Sequence, residues 1–266
     1  LDKRGLSMSI ASQALIEVEI YLMVLARIGG MFGFAPLFGS QNIPRQVKAA
    51  LSIVLALVIF PVVSLPAGGY PGNLIGYALC IGKEILVGII IGYVAALITV
   101  SVQLAGHLID MQIGFGLVNI VDPISGRQIT VIGQLQYIIA MLIFLGTNSH
   151  HVLLTAIAES YRLVPIAEFA LSDACQTGII MLFRDMFSLA IRIAAPVTCA
   201  LLLTDVVMAM LARAVPQMNV FIVGFPLKIL AGLLVLAMAL PTFAGLLRGS
   251  FQGLDRDIVL VLRGVR

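Results

Sequence analysis

The sequence predicts an all-α integral membrane protein of long, partly broken helices and short helical hairpins. Three observations carry that expectation. Charged residues make up 11% of the chain, against about 25% in soluble domains. Mean hydropathy is +1.10, and no polar stretch is long enough to build a soluble catalytic domain. Proline and glycine interrupt the apolar runs, so the spans are not uniform. At 266 residues the chain has room for about six or seven helices of roughly 20 residues plus connections. The net charge of +3 is scattered and includes no basic run, which gives nucleic acid nothing to bind. Cys80, Cys175 and Cys199 are far apart and form no CxxC pair, so they read as small buried apolar residues.

The first helix is expected over about Ile10 to Phe34. Leu1 to Ser7 reads as a stretch ahead of a natural start at Met8, and residues 1–7 are left out of the fold expectation. Glu17, Glu19 and Arg27 inside this helix argue against a simple lipid-facing span. The loop APLFGSQNIPRQVK follows, punctuated by Pro36, Gly39 and Pro44. Pro44 opens a second helix from Gln46 to about Leu65, where its missing N–H does no harm. The apolar stretch Leu74 to Leu108 is about 50 Å long as one helix, so it must project beyond a hydrocarbon core or break. Within it, Gly88-x-x-x-Gly92 is either a close-packing stripe or the ordinary glycine abundance of membrane helices.

Thr130 to Leu145 and Val152 to Val164 are apolar pieces separated by GTNSHH. The second is too short to cross about 30 Å of hydrocarbon, which fits a hairpin of two short helices. A long stretch from Gly178 to Ala214 precedes the segment Arg213 to Lys228, RAVPQMNVFIVGFPLK. There Pro216 ends one helix and Pro226 sits early in the next, Val220 to Leu247. Gln217 and Asn219 place amides where hydrocarbon would leave them unpaired, so this turn needs protein or water around it. Pro216, Gln217, Asn219, Pro226 and Lys228 are therefore expected to form a structural turn or subunit contact. Residues 248–266 form an amphipathic, mildly basic tail suited to a membrane surface or a partner.

Ionisable residues inside apolar runs cost roughly 2.5 to 3.5 kcal/mol each on insertion. Arg27, Lys83, Glu84, Arg184, Asp185 and Asp205 are the principal ones, with Glu159, Arg192 and Lys228. They are read as buried charges that pair between helices or subunits, because they do not converge on one helix face as a proton relay would. His150 and His151 are neighbours about 100° apart on a helix, and His107 is distant, so no metal site is expected. No phosphate-binding, nucleotide-binding or nucleophile motif is present; the chain is expected to be neither an enzyme nor a cofactor carrier. The segment Gly106 to Gln128 differs in character. Gly106, Gly114, Gly116, Gly126 and Pro123 argue against a steady helix, yet the segment is largely apolar. It is expected to be tucked into a cavity or constriction, or to be a buried connector.

The run RIGGMFGFAPLFGSQNIPRQVKAALSIVLALVIFP, the VDPISG loop, the FLGTNSHH turn and RAVPQMNVFIVGFPLK occur in order at suitable spacing. Together they resemble the FliR family of flagellar export-gate proteins and, more distantly, its virulence-secretion counterpart SctT, over about Leu15 to Leu247. One departure is visible: members commonly show Asn-Gly-His where this chain has Asn148, Ser149 and His150. The resemblance implies a single membrane-embedded subunit over residues 1–266, with FliP-like and FliQ-like helical units fused in one polypeptide. It implies a place in a helical assembly with FliP and FliQ around the pore for unfolded flagellar subunits, contacted outside by FlhB. It also implies an inner-membrane location at the flagellar basal body, with parts projecting toward the periplasm and lipid as a further partner. The family's plug maps onto Met111, Gln112, Ile113, Gly114, Phe115, Gly116, Leu117, Val118, Asn119 and Ile120. A competing class is a proton-coupled small-solute transporter, which the lack of a recognisable inverted repeat disfavours. Positive-inside counting gives no clear orientation.

Overall fold

The computed structural model describes residues 3–40, 43–63, 73–115, 130–170, 172–217 and 219–265. Its helices are α1 (Lys3–Phe34), α2 (Arg45–Ile59, continued by a 3-10 turn Phe60–Val62), α3 (Leu74–Ile113), α4 (Val131–Gly146), α5 (Ser149–Leu163), α6 (Asp173–Ala214), α7 (Val220–Gln252) and α8 (Leu254–Arg263). No strand occurs among the described residues. The fold is all-α. By length and composition α3, α6 and α7 can each cross a membrane, and α4 with α5 could make a fourth, bent span.

The expected six or seven helices of about 20 residues give way, among the described residues, to long helices of 32 to 42 residues and short ones of 10 to 16. α3 runs 40 residues and α6 42 without a break, about 60 Å at 1.5 Å per residue, twice a hydrocarbon core. Pro196, Pro226 and Pro241 stay inside α6 and α7. Thr147 and Asn148 separate α4 from α5. Asn148 takes the left-handed conformation there, φ 56°, as its short polar side chain allows. Ser149 already begins α5, so the serine in place of a glycine meets no backbone penalty.

The chain divides into two compact units, one of residues 1–96, 150–182 and 253–266, the other of 97–149 and 183–252. In the first unit the Gly88 and Gly92 stripe does pack closely. A Cβ on Gly88 would overlap the Arg27 carbonyl, one on Gly92 would lie 2.5 Å from the Met31 oxygen, and one on Gly30 would lie 2.5 Å from the Ile85 oxygen. α1 and α3 therefore touch backbone to backbone, the geometry that small residues permit. Around that contact Met23, Val24, Ile28, Met31, Val87 and Ile91 are fully buried.

The tail corrects its expectation. α8 buries Leu254, Ile258, Val261 and Leu262 within its own chain, not on a lipid surface. Leu260 and Val261 lie over Gly178, whose missing side chain leaves the slot, and Gly264 sits against the backbone of Cys175. The Ser172 hydroxyl donates to the Gly264 carbonyl, and Ala170 N–H donates to the Val265 oxygen at 2.9 Å.

In the second unit α4 crosses the later part of α3. A Cβ on Gly106 would overlap the backbone of Gly133, so these two glycines set the crossing. Phe144 of α4 meets Phe251 of α7 edge to face, with ring centroids 5.3 Å apart.

Candidate functional site

The base of the expected plug lies in the second unit. α3 continues through Gly106 to Ile113, correcting the expectation that glycine breaks the helix from residue 106. Gly106 is helical because its bare Cα is what lets α4 approach. The helix stops at Gly114, φ 101°, a conformation open to glycine. Gly114 and Phe115 both donate their N–H to the Asp110 carbonyl, at 3.1 and 3.0 Å.

Of the expected plug residues, Met111 is exposed, Gln112, Gly114 and Phe115 are half-buried, and Ile113 is fully buried. Ile113 packs over Gly232 of α7 beside Leu201 of α6, and the Phe225 ring lies where a Gly114 side chain would point. Ile113 thus anchors the end of α3 within the unit. Gly116, Leu117, Val118, Asn119 and Ile120 fall outside the described residues.

Sequence reasoning missed Asp110. It is 3% exposed, and its two carboxylate oxygens accept the N–H groups of Ile132 and Gly133 at 3.0 and 3.2 Å. Those are donors of the first turn of α4, for which Thr130 at the cap position provides no side-chain bond. A carboxylate at a helix N-terminus also meets the positive end of the helix dipole. The signal available was a lone acid in an apolar run. Its partners lie 22 and 23 positions away, beyond any local pattern.

The turn after α6 forms where proline predicts. α6 ends at Ala214, ahead of Pro216, while Pro226 is accommodated inside α7. Gln217 and Asn219 are exposed, and the Asn219 carbonyl accepts Ile222 N–H at 3.1 Å. Lys228 of α7 pairs with Asp205 of α6 at 2.5 Å, both only partly buried. Arg184 and Asp185 pair with each other at 3.0 Å with side chains 73% and 63% exposed. The expectation of buried charges is thus corrected for Arg184 and Asp185, which are exposed, while Asp205 is partly buried and makes the expected pair between helices.

Arg27 and Glu84 are buried as expected, and the first unit satisfies them internally. Arg27 Nε donates to Glu84 Oε2 at 2.6 Å, Nη1 to the Ser160 hydroxyl at 2.9 Å and Nη2 to the Val164 carbonyl at 3.1 Å. Its guanidinium lies 4.0 Å over the Tyr161 ring, a cation–π contact. Glu84 Oε1 accepts Ala167 N–H at 3.0 Å, and Lys83 Nζ, half-buried, donates to the Ala167 carbonyl at 3.2 Å. Ala167 has φ 68°, a strained conformation for a residue with a Cβ, and two adjacent charges on α3 hold it there. The cluster joins α1, α3, α5 and the turn after α5.

The family model for bacterial export proteins, family 1, matches residues 18–254. The chain belongs to this family. The match to export family 1 begins within α1 and ends at the first residue of α8, so it takes in the Arg27 cluster, Asp110 and the turn at Pro216. Relatives agree in extent. The flagellar biosynthetic protein FliR of Bacillus subtilis (strain 168) is 35% identical over 237 residues, covering 87% of this chain and 90% of that protein. Proteins of the same name from Caulobacter vibrioides and Escherichia coli K12 are each 27% identical, over 86% and 88% of this chain and 91% and 89% of their own lengths.

Proposed function

We propose that this member of export family 1 is a structural subunit of the flagellar type III protein export gate, in the bacterial inner membrane at the basal body. In this reading it forms, with FliP-like and FliQ-like subunits, the pore through which unfolded flagellar proteins leave the cell. An FlhB-like subunit contacts the outside, and the chain performs no catalysis of its own. Membership of the family, with relatives named for flagellar biosynthesis, carries the reading. The shape of the apolar surface supports it. In α3, 61% of the most apolar window is buried inside the chain, against 28% in α6 and 17% in α7. α6 and α7 thus leave apolar side chains such as Leu203, Met210 and Met238 uncovered, alongside the charges of Arg184 and Asp185 that lipid cannot satisfy. Neighbouring subunits would meet both needs.

Within that pore the segment Met111 to Ile120 closes the channel at rest and moves aside for a passing chain. Ile113 packed over Gly232 gives it a fixed root, and Gly114 is a hinge point. Arg27 and Glu84 bond to each other and to Ser160, Val164 and Ala167, which fits a structural ion pair better than a solute-coupling site. Purification of a tagged copy in mild detergent tests the assembly: it should bring down FliP- and FliQ-like subunits, and the chain alone in liposomes should move no labelled solute. A monodisperse folded monomer, or solute uptake by the chain alone, would overturn the reading.

A further inference from the structure

We propose that the groove between α6 and α7 binds the headgroup of a zwitterionic phospholipid of the ethanolamine class, with its phosphate on Arg192 and its ammonium on Asp185. The inference goes beyond the export-gate reading and does not rest on it, since it needs only that α6 and α7 cross a bilayer. Both helices line a groove of about 630 Å³, within the range of ligand pockets, about 300–1,000 Å³. Gly245 and Gly249 have open space where a Cβ would point, so part of its floor is bare backbone. The polar groups on its walls are Asp185, Ser188 and Arg192 of α6 and Thr242 and Ser250 of α7. Among the described residues none of these side chains bonds to the facing helix. They are therefore not there to join α6 to α7.

Their order along the groove is that of a lipid headgroup. α7 carries no charge from Ile229 to Leu247, about 28 Å as helix and close to one hydrocarbon thickness, so Arg248 marks a membrane interface. At the other end of that run the Lys228–Asp205 pair joins the two helices. Counting equal rises from the pair puts Asp185 level with Arg248, and Arg192 about 10 Å nearer the bilayer centre, beside Thr242. The inner end offers donors. Arg192 makes no ion pair among the described residues, and the Thr242 and Ser188 hydroxyls make no bond there either. The outer end offers acceptors. Arg184 places both of its bonds on Asp185 Oδ1, at 3.1 and 3.0 Å, which leaves Oδ2 over. The Ser250 hydroxyl donates to the Leu246 carbonyl at 3.1 Å and can otherwise only accept. Phosphate needs donors and an ammonium needs acceptors, and in a bilayer the ammonium lies outside the phosphate. Further inward Leu202 of α6 and Leu234 of α7 are exposed, an apolar surface for the acyl chains. A headgroup thus meets charges that hydrocarbon leaves unmet.

The experiment uses the full chain with whatever subunits it carries, purified in mild detergent and freed of lipid. It is titrated with phosphatidylethanolamine, phosphatidylcholine or phosphatidylglycerol of matched acyl chains, or with soluble phosphoethanolamine, and bound ligand is read by native mass spectrometry. The choline ammonium has no N–H and the glycerol headgroup has no cation, so these two lipids keep only the phosphate end. Losing a charge-assisted hydrogen bond weakens binding about tenfold or more. Phosphatidylethanolamine should therefore bind about tenfold more tightly than either, and phosphoethanolamine, without acyl chains, far more weakly than all three. Arg192→Gln should weaken all three lipids by about tenfold, Asp185→Asn should erase the preference for ethanolamine, and Gly245→Leu should fill the groove and exclude every lipid. All three positions are exposed, so the variants should keep the wild-type unfolding midpoint in lipid-free detergent. Equal binding of the three lipids, or ethanolamine lipid binding unchanged in Arg192→Gln, would overturn the proposal. Phosphoethanolamine binding as tightly as the lipid would also overturn it, as would loss of co-purifying subunits in Arg192→Gln with lipid binding intact, which would give the groove to a partner helix. A wild-type chain that carries no partner subunits contradicts the export-gate reading alone and leaves the lipid titration readable.

Discussion

Removing either partner of the Arg27–Glu84 pair should destabilise the chain severely, while removing both should not. In Glu84→Ala the guanidinium of Arg27, 0% exposed, keeps the Ser160 hydroxyl, the Val164 carbonyl and the Tyr161 ring but loses the carboxylate bonded to it. An uncompensated buried charge of this kind costs about 3–5 kcal/mol. For a domain of this size, that lowers the midpoint of thermal unfolding by roughly 6–20 °C. In Arg27→Met the carboxylate of Glu84 loses its counter-charge and retains Ala167 N–H, which puts it in the same range. The double change Arg27→Met with Glu84→Leu removes both charges and strands the Val164 carbonyl and Ala167 N–H, about 1–3 kcal/mol each; each single variant already strands one of these on top of its unpaired charge. Thermal loss of the purified complex in mild detergent, followed by size exclusion, gives the three midpoints. The double variant should melt above either single one. If it melts no higher than the worse single variant, the unpaired charge is not the source of the cost and the reasoning fails.

Gly88→Leu should disrupt the first unit, because its Cβ alone overlaps the Arg27 carbonyl; overpacking of this kind costs about 1–3 kcal/mol or more, read as a fall in midpoint and cellular level. Arg184→Ala should change chain stability by no more than about 1 kcal/mol, since the Arg184–Asp185 pair is exposed, yet it should lower recovery of partner subunits if that face docks them. Gly114→Val places a β-branched side chain at φ 101° and against the Phe225 ring, so export should fall while Gly114→Ala falls less, measured as secreted subunits. Replacing Gln217 and Asn219 together with leucine should weaken assembly on native gels, and intact assembly and motility would leave that turn a passive role.

What the sequence made legible was mainly local. Proline placed the break after Ala214, hydropathy placed the helices, and the glycines at 88 and 92 marked a close approach that the backbone does make. What it hid was the pairing of distant residues. Arg27 and Glu84 were both conspicuous as charges, but 57 positions separate them, and nothing periodic links their helices. Asp110 escaped notice because its role is to satisfy backbone donors on another helix, and such donors leave no mark in side-chain patterns. The exposed Arg184 and Asp185 were misread as buried for a physical reason: an apolar surround in sequence predicts removal from water, and a membrane or a partner can supply that as well as the chain's own core. The length of α3 was legible, since its apolar run outlasts a hydrocarbon core and the helix does continue unbroken for 40 residues; hydropathy reports where water is excluded and does not say by what.

If this chain works as a subunit of a flagellar protein export gate, secretion is the activity that depends on it. Cells lacking the chain, but still making the other membrane subunits, should release no flagellar building blocks into the medium. Returning the chain should restore release. Normal secretion of flagellar subunits in its absence would contradict the export-gate role.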